Sequence, residues 1–104
     1  FGRPFIGLNG GPQFPHSEAI SFQIPCNDQN EIDKYWDLLL ADGGQESQCG
    51  WLKDKFGVSW QVTSPKMNDW LGGSDAAGAE RATKAMLGMR KINLAAMEAA
   101  YLAK

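Results

Sequence analysis

A short apolar run over residues 4–8 reads as a strand, and apolar and polar positions alternate loosely over residues 18–24, where Ile20, Phe22 and Ile24 share one parity and Ala19, Ser21 and Gln23 the other. A period of two is that of a half-buried strand. Each run ends at a breaker, Asn9-Gly10-Gly11-Pro12 after the first and Pro25 after the second. The period then lengthens: Ile32, Tyr35, Trp36, Leu39 and Leu40 recur at helical spacing behind Asp28 and Glu31, whose separation resembles a capping box. This predicts an amphipathic helix over 28–42, ended by Gly43-Gly44 because glycine readily supplies the left-handed residue after a last turn. A bent strand over 45–53 and a second over 58–63, joined through Asp54-Lys55-Phe56-Gly57, read as a hairpin. Beyond Pro65, alanine and methionine at helical spacing predict a short turn near 66–71, a helix over 75–90 and another over 94–103, with Asn93 as N-cap of the last.

The order is strand, strand, helix, strand, strand and then helices, which makes the fold class α+β. Residues 1–65 form the sheet-bearing part and 66–104 a helical tail, within a single domain overall. The tail is too rich in alanine to build a core alone, so it must pack on the sheet or on a partner. At 104 residues the chain can bury one modest core. Four tryptophans and five phenylalanines are many for that size, so part of the aromatic surface is expected between subunits. The first apolar run already reads as a strand under way at Phe1, so a segment upstream is expected.

A net charge of −2 with no basic stripe argues against nucleic acid as a partner. No run approaches the roughly 18 apolar residues of a spanning helix, and residues 1–11, FGRPFIGLNGG, lack the plan of a signal peptide. The expectation is therefore no membrane association and a cytoplasmic location. Cys26 and Cys49 are too few for a disulfide framework and have no CxxC pair or histidine cluster beside them. Cys49 also lacks an adjacent histidine or lysine, which favours an inert thiol. Asn9-Gly10-Gly11 is followed by neither GK[ST] nor a helix start, so it is a turn and not a phosphate loop. Met86, Met89 and Met97 follow helical spacing and read as packing residues.

The stretch LNGGPQFPHSEAISFQIPC, the helix with KYWDLLLADGG, the hairpin CGWLKDKFGVSWQV and the tail AMLGMRKINLAAMEAAY together resemble the PhnB-like branch of the vicinal-oxygen-chelate superfamily, which includes glyoxalases, bleomycin resistance proteins and extradiol dioxygenases. The resemblance runs from about Phe5 to Tyr101. It implies a βαβββ module of a kind that occurs in pairs, with curved sheets facing one another around a pocket. On that pattern the chain supplies one module from Glu18 onward, plus the last strand of a preceding one. A lone module is expected to leave an apolar sheet face bare, and a homodimer through the sheet and aromatic surface would cover it. The branch also carries the label 3-demethylubiquinone 3-methyltransferase, which no residue here supports.

In metal-using relatives a glutamate near the end of the final strand holds a divalent ion, with histidine or glutamate ligands on other strands, and such donors suit a Lewis-acid metal. The resemblance places Gln61 where that glutamate falls. Glutamine is a weak, neutral ligand, so no metal site of the chain's own is expected, although a divalent metal shared with another module or chain is possible. His16 and Glu18 begin the strand that would carry a further ligand. His16 could transfer protons or simply occupy a proline-flanked surface loop; Glu18 could be a desolvated base or a solvated strand-edge carboxylate. Trp51 and Trp60 could line an apolar ligand cavity or belong to the core, and alternation sends Gln61 to the face opposite Trp60.

The leading expectation is a small-molecule-binding domain of the glyoxalase and PhnB-like type, with Trp51 and Trp60 as pocket walls, no cofactor, and an unknown reaction, if any. A metal-dependent lyase, isomerase or dioxygenase using His16, Glu18 and Gln61 with outside ligands is the alternative. A 3-demethylubiquinone 3-methyltransferase is the weaker third, since no glycine-rich loop follows a strand and opens a helix.

Overall fold

The computed structural model describes residues 2–103; Phe1 and Lys104, the outer ends of the two parts anticipated above, lie outside the described residues. Its order is β1 (Ser21–Pro25), α1 (Gln29–Leu40), β2 (Gln45–Glu46), β3 (Trp51–Lys53), β4 (Ser59–Thr63), α2 (Met67–Leu71), α3 (Ala76–Leu87) and α4 (Leu94–Leu102). The four strands form one open, mixed sheet in the order β1-β4-β3-β2, with β1 parallel to β4 and the other pairs antiparallel. This is an α+β fold.

Helix α1 forms where the period and the cap agree. Asp28 accepts from the Glu31 amide at 2.9 Å, while the Glu31 carboxylate accepts from the Asn27 amide at 3.1 Å. The reciprocal bond thus lands one residue further out than in a standard capping box. At the other end Asp42 (φ 62) and Gly43 (φ 117) carry the chain out of the helix, and the Gly44 amide donates to Leu40 at 2.9 Å.

Three expectations need correction. Residues 4–8 form no strand: the run is apolar, but a strand needs a partner edge, and among the described residues the only backbone bond of this arm joins Gly10 to Leu8. The bent strand over 45–53 is two strands, because Ser47 to Gly50 make a tight reversal in which Trp51 donates to Gln48, Ser47 donates to Trp51, and Cys49 (φ 57) and Gly50 (φ 84) are both left-handed. The strand expected over 18–24 begins only at Ser21 and includes Pro25, which an edge strand tolerates because one side of it makes no ladder bonds. Helices α2, α3 and α4 stand where the tail predicted them, with Asn93 accepting from the Ala96 amide at 3.0 Å.

One core holds the molecule together. Ile24, Leu52 and Val62, of one strand parity, meet Ile32 and Trp36 of α1, and Met67, Ile92, Leu94 and Met97 of the tail close the same side. Gln29 ties tail to helix: its amide nitrogen donates to the Ile92 carbonyl at 2.9 Å and its oxygen accepts from the Leu94 amide at 2.9 Å. The tail therefore covers the same face as α1. The other face carries Ser21, Gln23, Trp51, Lys53, Ser59, Gln61 and Thr63, and among these Ser59 alone is buried. The expected bare apolar sheet face is thus a largely polar one. Large apolar side chains left in water include Phe5, Ile6, Leu8 and Phe14 of the arm, at 72–97% exposure, and elsewhere Ile20, Leu38, Phe56, Leu87 and Leu102.

Candidate functional site

The geometry of the open face begins at the turn between β3 and β4. One Asp54 carboxylate oxygen accepts from the Phe56 and Val58 amides at 2.9 and 3.0 Å, and the other accepts from the Trp60 indole at 2.9 Å. Gly57 (φ 84) closes the turn. That clamp sets the hairpin register, pairing Lys53 with Ser59, Leu52 with Trp60 and Trp51 with Gln61. With β1 alongside, two rows cross the open face: Gln23, Gln61, Trp51 and then Ser21, Ser59, Lys53.

Within the first row Gln61 is held from two sides. Its amide nitrogen donates to the Ser21 hydroxyl at 2.8 Å, and its oxygen accepts from the Gln23 amide at 3.2 Å. In the second row the Lys53 ammonium pairs with the Glu18 carboxylate, and the Ser59 hydroxyl, in a residue only 1% exposed, has no hydrogen-bond partner among the described residues. An unpaired buried hydroxyl is costly unless something else satisfies it. A shallow depression of about 190 Å³ lies here, with Glu18, Trp51, Lys53 and Ser59 in its walls. The hydrogen bond from Lys53, and after it the bond to its own backbone, hold the Glu18 carboxyl below its ordinary value. Glu18 is therefore an anion tied to a cation.

The anticipated site residues separate. Trp51 lies with Gln61 on the open face, while Trp60 lies on the helix-bearing side, its ring 5.4 Å from Phe22. One chain cannot put both tryptophans into one cavity. Trp60 borders a different groove of about 710 Å³, at the β1 edge, with Arg3, Phe5, Phe22, Gln23 and Pro25. His16 is exposed, in a third hollow of about 350 Å³ that includes Pro15, Ile20 and Val58 and that Ser59 also borders. Among the described residues no group of three or more His, Cys, Asp and Glu side chains could hold a metal ion.

Cys26 is fully buried, and that burial, helped by the Glu31 and Asp28 carboxylates, pushes its thiol up to about 11. It is a packing thiol. Ser21, Gln23, Lys53 and Ser59 were missed from sequence, and the signal that could have found them is the D-x-x-G turn: once Asp54 to Gly57 fix the register, every open-face position follows by counting in twos.

Residues 1–63, through the last strand of the sheet, match the family described as 3-demethylubiquinone-9 3-methyltransferase. The chain belongs to that family. No curated protein matches the chain. All the open-face residues fall within the stretch matched to the 3-demethylubiquinone-9 3-methyltransferase family, and helices α2 to α4 lie beyond it. Methyl transfer requires a donor such as S-adenosylmethionine, and a nucleotide-type site for one would open on a glycine-rich strand-to-helix loop. The connection from β1 to α1 is Cys26-Asn27-Asp28, with no glycine, and the helix N-terminus is already occupied by the Asp28 and Glu31 carboxylates. A nucleotide-like cofactor carrying its own carboxylate would meet like charge there. Among the described residues no helix is long and apolar enough to cross a membrane.

Proposed function

We propose that this chain is a glyoxalase-like, small-molecule-binding domain that receives its ligand on the open face of the sheet, without a metal ion of its own. The observation that carries the reading is the array around Gln61. A carboxamide fixed by Ser21 and Gln23 presents oriented donors and acceptors, Trp51 offers an apolar wall beside it, and the Ser59 hydroxyl is buried with its hydrogen-bonding capacity unused. Binding sites combine an aromatic or apolar wall with a few fixed polar groups in this way. A ligand with a carbonyl or hydroxyl oxygen suits the array, and Gln61 as a neutral amide recognises such a group by hydrogen bonding where a glutamate would bring charge. The Glu18–Lys53 pair at the rim then acts as a polar fence.

The test is a titration of the labelled protein with small carbonyl compounds, read as chemical-shift changes of side-chain N–H groups. The expected result is perturbation of the Gln23 and Gln61 amides and the Trp51 indole, with Trp36 and Trp70 unmoved. Shifts centred on the Trp60 groove, or none with any compound, would sink the reading. Stoichiometric, tight uptake of a divalent metal in a parallel titration would replace it with the metal-dependent alternative.

A further inference from the structure

The ion pair at the rim of the open face and the hydroxyl beside it are mismatched. Ser59 stands in the middle of the row Ser21, Ser59, Lys53. It borders both the depression of about 190 Å³ that Glu18 and Lys53 also line and the hollow of about 350 Å³ around His16. Residues 16–19 stand between the two, with Glu18 walling the first and His16, Ser17 and Ala19 the second. The Glu18 carboxylate serves the Lys53 ammonium, yet among the described residues the Ser59 hydroxyl next to them stays unpaired and shut off from water. A carboxylate seated deeper would satisfy both donors, and Glu18 does not reach that far.

What holds Glu18 in place is slight. Among the described residues no backbone hydrogen bond ties residues 16–19 to the sheet. The other polar bonds of the segment are internal, from the Ala19 amide to the Ser17 hydroxyl at 3.2 Å and from Glu18 to its own backbone. The pair itself meets water, with 38% of the Lys53 side chain and 59% of Glu18 exposed, and exposed ion pairs contribute little to stability. Gln61 meanwhile gives one amide hydrogen to Ser21 at 2.8 Å and keeps its second. Its row lies two residues along the strands from that of Lys53, about 6–7 Å. A carboxylate with an oxygen on the adjacent carbon spans that interval: the carboxylate accepts from Lys53 and Ser59, and the neighbouring oxygen accepts from Gln61.

We propose that the open face takes a small carboxylate bearing a carbonyl or hydroxyl oxygen on the adjacent carbon, and that this ligand displaces Glu18 from Lys53 and gains the Ser59 hydroxyl as a second donor. Glu18 is then an internal stand-in, neutralising Lys53 while the face is empty. The inference rests on the open face being the ligand site, and what it adds is the charge of the ligand.

Pyruvate and its neutral amide, pyruvamide, titrated into the full chain and into Glu18→Gln and Lys53→Gln variants, test it, with the Gln61 and Trp51 N–H signals as the readout. In the parent, pyruvate should bind about tenfold more tightly than pyruvamide, the difference between a charged and a neutral hydrogen bond. Glu18→Gln should strengthen pyruvate binding about twofold to fivefold by removing the competitor and change pyruvamide binding less. Lys53→Gln should bring the two compounds level. Both side chains lie at the surface, so both variants should fold, and Glu18→Gln carries the test by itself if Lys53→Gln does not. A parent that does not prefer the acid, a preference that survives Lys53→Gln, or pyruvate binding that weakens in Glu18→Gln overturns the inference and leaves the open face a ligand site. If neither compound moves Gln61 or Trp51, the ligand site itself is refuted and this inference with it.

Discussion

Asp54 is the residue whose removal should be felt most clearly, because one half-buried carboxylate serves three donors at the hairpin turn. Asp54→Ala deletes all three bonds. A net hydrogen bond contributes about 0.5–1.5 kcal/mol, and more when the acceptor is charged. Water can reach the Phe56 amide after the change, since that residue is exposed, but it reaches the part-buried Val58 amide and Trp60 indole less easily. The expected loss is therefore about 2–4 kcal/mol, a large part of a stability that is roughly 5–15 kcal/mol for a domain. At about 4 °C per kcal/mol for a chain of this size, Tm falls by roughly 8–16 °C. Asp54→Asn is the informative companion. Its carbonyl oxygen can still accept from the Phe56 and Val58 amides, but its NH2 group faces the Trp60 indole donor, so it should lose only about a third as much, roughly 1 kcal/mol. The assay is urea unfolding followed by far-ultraviolet circular dichroism, with the slope m used to check that the denatured state is unchanged. Should Asp54→Ala cost under about 0.5 kcal/mol, or the two variants unfold at the same midpoint, the clamp is not what holds the hairpin.

Three other outcomes follow from the same structure. At Gly50 a methyl group would meet the Val62 carbonyl oxygen at 2.9 Å and Ile92 at 3.0 Å on a backbone with φ +84, so Gly50→Ala should destabilise by about 2–4 kcal/mol in denaturant unfolding; a neutral result would contradict the close packing of tail on turn. Ser59→Ala removes a buried hydroxyl that has no partner and should leave stability equal or higher by up to about 1 kcal/mol, while weakening whatever ligand the open face takes; a clear loss of stability would mean that the hydroxyl is already bonded. Asp33 accepts from Gln29 at 3.0 Å and pairs with Lys91 at 2.9 Å, and these partners, Gln29 first, hold its carboxyl below the ordinary value. A folded-state value below the unfolded one gives stability that is present at neutral pH and lost as pH falls through the folded-state value. Asp33→Asn should therefore flatten the acid side of a Tm-against-pH curve, and an unchanged acid limb would remove Asp33 from the account.

The parts legible in the sequence are those decided locally. Helix α1 could be read because its period, its Asp28 cap and its Gly43 terminus agree, and Gln61 could be placed opposite Trp60 because strand alternation is a local rule. The strand expected at residues 4–8 failed because a short apolar run does not say whether a neighbouring strand exists. The reversal at Ser47 to Gly50 was hidden because Gly50 was its only turn signal, and a left-handed Cys49 has no signature in composition. The open face itself depended on knowing which side α1 and the tail cover. That choice is made by Ile92, Leu94 and Met97, far along the chain from the strands they cap.

The side chain of Gln29 meets residues 92 and 94 as another peptide group would, giving one N–H and taking one. A carboxamide here imitates main chain, and it stands inside the stretch shared with the family while the residues that it grips stand outside. Trimming the protein to the shared stretch would therefore leave that imitation without its counterpart and uncap Ile24, Cys26 and Ile32. For this chain the boundary drawn by kinship runs through the core, leaving Met67, Ile92, Leu94 and Met97 outside it.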